Sequence, residues 1–135
     1  MPDTRPSNAI ETVLIVDDEV LVRSEIAEYL RTCGFKVIEA VNAGEAVLLG
    51  EGMRVDIVLG SVATQAADGF ALSRWIREHR RGLLVILAGT PGRSVEAAAE
   101  LCDTGPLLSR PYDPQIVLDR IRRLLAAQRR QDDEG

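Results

Sequence analysis

Short apolar runs alternate with amphipathic stretches along almost the whole chain. The runs are TVLIV (12–16), FKVIEA (35–40), VDIVL (55–59), GLLVIL (82–87) and PLLS (106–109). Most are rich in Val, Ile and Leu, the near-continuous apolarity expected of parallel strands covered on both faces. The intervening stretches have helical spacing. Residues 19–33 set Val22, Ile26, Tyr29 and Leu30 on one stripe and Arg23, Glu25, Glu28 and Arg31 elsewhere. Gly34 follows as a natural helix terminator. Residues 43–50 form a short second helix behind Asn42 as N-cap. Residues 69–80 carry Phe70, Leu72, Trp75 and Ile76 ahead of an Arg-rich end, and residues 94–102 open on Ser94 with a modest start signal. Residues 114–128 begin with Asp113 as cap and Pro114 in the first turn, then place Val117, Ile121, Leu124 and Leu125 on one face.

Five strands alternating with five helices predict an α/β sandwich, a doubly wound parallel sheet reached by right-handed crossovers. The domain is expected to cover 12–127. A polar tail is expected at 1–11 and a charged, frayed one at 128–135.

Composition narrows the function. The 135 residues carry 46% hydrophobic and 27% charged side chains, ordinary values for one globular domain. No apolar run approaches the ~20 residues needed to span a bilayer, and MPDTRPSNAIET has no apolar signal core, so a cytoplasmic protein away from membranes is expected. A net charge of −5 speaks against a nucleic-acid partner, since phosphate contact needs a clustered positive field. The Arg cluster at 77–81 reads as a solvated helix end, and Trp75 as packing at the core edge. Cys33 and Cys102 lack metal or redox spacing, and His79, the single histidine, has no partner in sequence for catalysis. One count matters later: fifteen of the sixteen basic residues are Arg, and Lys36 is the lone Lys.

Chemistry in an open α/β fold sits outside the carboxyl ends of the strands. The first strand ends in VLIVDDE, which brings Asp17, Asp18 and Glu19 to that edge together. Adjacent carboxylates repel unless a cation lies among them, and Mg²⁺ is a usual one. A Walker B strand would need a GxxxxGK[ST] loop, yet Lys36 is followed by Val37. Instead TVLIVDDEVLVRSEIAEYLRTCGFKVIEAVNAGEAV, DIVLGSVATQAADGFALSRWIR, LLVILAG and PLLSRPYDPQIVLDRIRRLL resemble, in order and without insertion, the receiver domains of two-component response regulators. The resemblance spans roughly 12–127 and implies a flavodoxin-like sheet of strand order 2-1-3-4-5.

Receivers take a phosphoryl group from a histidine kinase onto an Asp that ends the third strand. Mg²⁺ is held by the acid pair, that Asp and a backbone carbonyl. A Ser or Thr after the fourth strand and a Lys after the fifth hold the phosphoryl oxygens. Carried over position by position, the acid pair is Asp17 and Asp18 and the carbonyl is that of Ala63. The phosphoacceptor position is Ser61, the Ser/Thr position Ala88, the Lys position Arg110, and the aromatic switch position Leu107. Ser61 would need a general base and would give an inert ester. The missing third carboxylate weakens Mg²⁺ binding. Ala88 offers no hydrogen bond, and the planar fork of Arg110 does not copy an ammonium.

These departures point to a degenerate receiver that is not phosphorylated on Asp and acts as a protein-interaction module rather than an enzyme. Its expected surface is made by the fourth helix (94–102), fifth strand (106–109) and fifth helix (114–128). The partner would be a histidine kinase, another regulator or an output protein, or a second copy of the chain. For the acid pair two readings stand: a weakened Mg²⁺ site, or a cluster paired with Arg110 through an Arg–carboxylate fork. Two alternatives are weighed beside this one. Another acid could accept phosphate, with Asp68 and Asp56 nearest; or Asp17 and Asp18 could serve a phosphatase or nucleotide hydrolase, for which no nucleophile–base pair is evident.

Overall fold

The computed structural model describes residues 10–67, 71–80, 82–89 and 108–134. Strands β1 (Thr12–Val16), β2 (Lys36–Ala40), β3 (Ile57–Ser61) and β4 (Leu84–Ala88) form one parallel sheet of order β2-β1-β3-β4. Leu108 pairs alongside Ala88 as a parallel bridge, where a fifth strand would lie. The expected order 2-1-3-4-5 agrees with this. Leu107 and the expected helix at 94–102, with Cys102, lie outside the described residues, as does Asp68.

The helices are α1 (Val20–Thr32), α2 (Ala43–Glu51), α3 (Val62–Ala67), α4 (Ala71–His79) and α5 (Pro114–Glu134). Alternation along each strand sorts the core into two layers. Val13, Ile15, Ile57, Leu59 and Ile86 meet Ile26, Ala27 and Leu30 of α1 and Val117, Leu118 and Ile121 of α5. Leu14, Val16, Val58, Val85 and Leu87 meet Ala43 and Ala46 of α2 and Leu72 and Ile76 of α4. Both faces are therefore covered, which is why the strands read as unbroken apolar runs.

Local signals act as expected at several ends. Gly34 takes φ +100° just past α1. The Asn42 side chain accepts from the Glu45 amide at 2.9 Å. Asp113 accepts from the amides of Gln115 and Ile116 at 3.1 and 3.4 Å, capping α5.

Three boundaries differ from the sequence reading. β3 starts at Ile57 rather than 55, because Asp56 is spent on an end-cap: its carboxylate accepts from the Thr12 amide at 2.8 Å. The stretch after Ser61, where no helix is expected before residue 69, turns at once into α3, with the Ser61 hydroxyl accepting from the Thr64 amide at 3.4 Å. α5 runs on to Glu134 instead of fraying after 128. Its last turns carry good helix formers such as Arg and Gln, Arg129 pairs with Glu11, and Gln128 donates to the Gly82 carbonyl at 2.6 Å.

Candidate functional site

β1 and β3 are neighbours with Val16 opposite Gly60, so the next residues on each, Asp17 and Ser61, emerge at one sheet edge. β4 brings Ala88 there in register with Ser61, and the Leu108 bridge delivers Arg110 two residues later. Sequence-distant positions singled out above thus converge. Asp18 and Glu19 complete the turn into α1, with exposed side chains.

Asp17 is the centre of the arrangement. Its carboxylate is fully buried, and burying a charge is tolerated only when it is paired and hydrogen-bonded. Arg110 supplies a two-pronged contact, Nε to Oδ2 at 2.8 Å and Nη2 to Oδ1 at 2.6 Å. The Tyr112 hydroxyl donates to Oδ2 at 2.9 Å, and the Glu19 amide donates to Oδ1 at 2.9 Å. Each oxygen receives two donors. An ionised carboxylate has about four lone-pair sites, so this one is saturated.

The same guanidinium lies 3.3 Å from a Glu19 oxygen and 3.9 Å from an Asp18 oxygen. Of the two readings of the acid pair, the geometry is that of the Arg–carboxylate fork, centred on Asp17. Burial alone would push the Asp17 carboxyl upward. The Arg110 and Tyr112 hydrogen bonds, the Glu19 amide and the charge of Arg110 together hold it below the usual 3.8. Arg110 is held still more firmly protonated by its hydrogen bond to Asp17. The Tyr112 phenol is pushed far above its usual value by burial and by the neighbouring Asp17 charge.

Arg23 of α1 ties this centre to the sheet. Its Nη1 donates to the Asp17 carbonyl at 2.8 Å and its Nε to Glu39 of β2 at 3.1 Å. Arg31 meets the second Glu39 oxygen at 3.2 Å.

The remaining predicted positions differ in exposure: Ser61 and Ala88 are buried and Ala63 is exposed. Ser61 and Ala88 are fully buried, and the Ser61 hydroxyl takes up the α3 amide. Ala63 lies in the first turn of α3. Gly89, at φ +152°, lets the chain pass close to the start of α3, since a Cβ there would meet the Val62 Cβ at 3.3 Å. The Thr64 hydroxyl is buried with no hydrogen-bond partner among the described residues. Asp56 lies at the opposite end of β3 from Ser61, about 16 Å along the strand, so it is not a pocket acid.

Mg²⁺, which the family resemblance implies, does not fit these residues as they stand. The buried carboxylate has no free lone pair, the third carboxylate is a serine, and a fixed cation occupies the space between Asp17, Asp18 and Glu19. Among the described residues no group of three or more His, Cys, Asp or Glu is set to hold a metal.

Sequence reasoning missed Tyr112 and Arg23. Tyr112 had a usable signal: a polar-tipped aromatic two residues after Arg110 must find a partner for its hydroxyl if the ring is buried. Arg23 had none, being simply one of the charges off the apolar stripe of α1.

Comparison with known proteins agrees with the architecture. The sequence pattern described as "Response regulator receiver domain" matches residues 13–122. The response regulator Rre1 of Synechocystis is 32% identical over 130 residues, covering 92% of this chain and 55% of that protein. The transcriptional regulatory protein PdtaR of Mycobacterium tuberculosis is 32% identical over 101 residues, covering 74% and 49%. The chain spans about half the length of the curated relatives it matches. Among solved structures, a CheY-like receiver domain protein from Methanospirillum hungatei superposes with TM-score 0.79 at 22% identity, covering 91% of this chain and 99% of that one. The receiver domain of the hybrid histidine kinase CckA gives 0.66 at 26% identity, covering 84% and 98%. No helix among the described residues is long and apolar enough to cross a membrane.

Proposed function

The chain belongs to the response regulator receiver domains of two-component signalling, and from that premise we propose that it is a receiver that works without aspartyl phosphorylation, by binding a protein partner in the cytoplasm. Receiver domains are in general non-catalytic modules that engage histidine kinases and output domains. In this reading the partner is a kinase, another regulator or an output protein, with a second copy of the chain as a further option. The surface the family resemblance points to includes α5; residues 94–107, also expected to contribute, lie outside the described residues.

One observation carries the proposal: Arg110 grips Asp17 with two hydrogen bonds, at 2.8 and 2.6 Å, in the place where the family's chemistry needs a metal and a free carboxylate. Ser61 and Ala88 support it. The Ser61 hydroxyl is neutral, buried and hydrogen-bonded to no described side-chain base, accepting instead from the α3 amide, and the Ala88 side chain has no donor for a phosphoryl oxygen. The pocket has thus become a brace between β1 and the start of α5.

The test is incubation of the chain with a small phosphodonor and Mg²⁺, followed by intact-mass measurement. The expected result is an unchanged mass. A stoichiometric gain of one phosphoryl group would overturn the proposal and return attention to an acid such as Asp68.

A further inference from the structure

The misfit between the pocket and Mg²⁺ has a consequence of its own. We infer that this chain carries its pocket cation covalently: the Arg110 guanidinium, seconded by the Tyr112 hydroxyl, is the permanent counter-ion of Asp17 and masks a divalent-cation site that a single substitution at 110 would open. The inference deepens the reading of the pocket as silent in phosphotransfer and concerns its metal dependence.

Lone pairs and charge decide between metal and guanidinium at Asp17. Asp17 offers about four acceptor sites, and four donors fill them: Arg110 Nε and Nη2, the Tyr112 hydroxyl and the Glu19 amide. A hard divalent cation binds through one or two carboxylates plus waters and must displace donors to do so. Displacing Arg110 would leave a guanidinium beside the arriving metal, since Asp18 and Glu19 hold it at 3.9 and 3.3 Å. Metal and guanidinium therefore exclude each other.

Removing Arg110 changes this on both counts. It frees one site on each Asp17 oxygen, and it leaves the buried carboxylate with exposed Asp18 nearby and without the guanidinium that reached both. Removing only the Tyr112 hydroxyl frees one site on Oδ2 and leaves the fork in place, so it opens nothing.

The experiment is a titration of the full chain with Mn²⁺, read by water-proton relaxation, beside thermal melts with Mg²⁺ or with chelator. The native chain and Tyr112→Phe are expected to melt at the same temperature in Mg²⁺ and chelator and to bind Mn²⁺ only weakly. Arg110→Ala is expected to melt low in chelator, to rise with Mg²⁺, and to bind one Mn²⁺ at least about tenfold more tightly than the native chain, because a nearby unit positive charge is gone. Asp17→Asn on that background should abolish the gain.

Arg110→Lys keeps the charge but not the fork, so it guards against loss of folding in the alanine variant and should fall between the two. The inference is overturned if the native chain binds Mn²⁺ as tightly as Arg110→Ala. It is also overturned if the variants fold and bind no better than the native chain. The two proposals fail separately: phosphorylation of the native chain fails the function, and equal Mn²⁺ binding fails only the masked site.

Discussion

At the scale of single residues, Asp17 and Tyr112 should govern opposite ends of the pH range. The Asp17 carboxyl is held below its ordinary 3.8 in the folded chain. A depressed folded value means that its contribution is present above the unfolded value and is lost as pH falls through the folded one. Asp17→Asn is therefore expected to cost on the order of 3 kcal/mol at neutral pH, because it strips the charge partner from Arg110. The gap to the native chain should close as urea midpoints are followed below about pH 4. A gap that stayed constant with pH would mean that Asp17 contributes by shape alone. Tyr112 works in the other direction. Burial and the Asp17 charge raise its folded value, so its contribution is full below the ordinary value near 10 and is lost as pH climbs beyond it toward the raised one. Tyr112→Phe should flatten the alkaline fall in stability while leaving the acid limb in place.

At the scale of elements, α5 is where the core and the pocket meet. Ile121 is fully buried, at 0% accessibility, in the same apolar layer as Ile26, Leu30 and Ile86. Ile121→Ala should cost about 2–5 kcal/mol in chemical denaturation, since a cavity would open under the helix. An effect below about 1 kcal/mol would mean that α5 is only loosely seated.

Much of this arrangement was legible in the chain. The VLIVDDE strand end, the Asp113-Pro114 helix start and the Gly34 stop follow from local chemistry and stand where they were expected. Less legible was anything set by contacts between distant segments. The run of α5 to Glu134 is accompanied by Glu11 and the Gly82 carbonyl, far away in sequence. The immediate turn of α3 rests on a hydroxyl that looked like a candidate nucleophile and serves as a hydrogen-bond acceptor. The pocket residues themselves were found by position, but the saturation of Asp17 needed the Tyr112 hydroxyl and the Glu19 amide in three dimensions.

At the scale of the whole molecule, the parallel sheet gathers four chain segments at one edge, and the function depends on what they bring together. A single missing acceptor could be restored by a single residue. Here three positions carried over from the family hold other residue types, and they are neighbours: Ser61 stands opposite Ala88 in register, and Arg110 follows the Leu108 bridge to that same strand. Ser61→Asp alone would place another carboxylate near a guanidinium that already binds Asp17. The fork would still hold Asp17, and Ala88 would still offer no donor, so a phosphodonor with Mg²⁺ is expected to leave its mass unchanged. Adding Arg110→Lys releases the fork and supplies a compact ammonium, and adding Ala88→Thr supplies the missing hydroxyl. The triple variant is expected to gain one phosphoryl group by intact mass. Stoichiometric labelling of Ser61→Asp on its own would show that only the acceptor was missing and that the Arg110 brace is no obstacle. In the native chain the fork ties the end of β1 to the start of α5 through hydrogen bonds at 2.8 and 2.6 Å, the contact that the triple variant would have to give up before a phosphoryl group could enter.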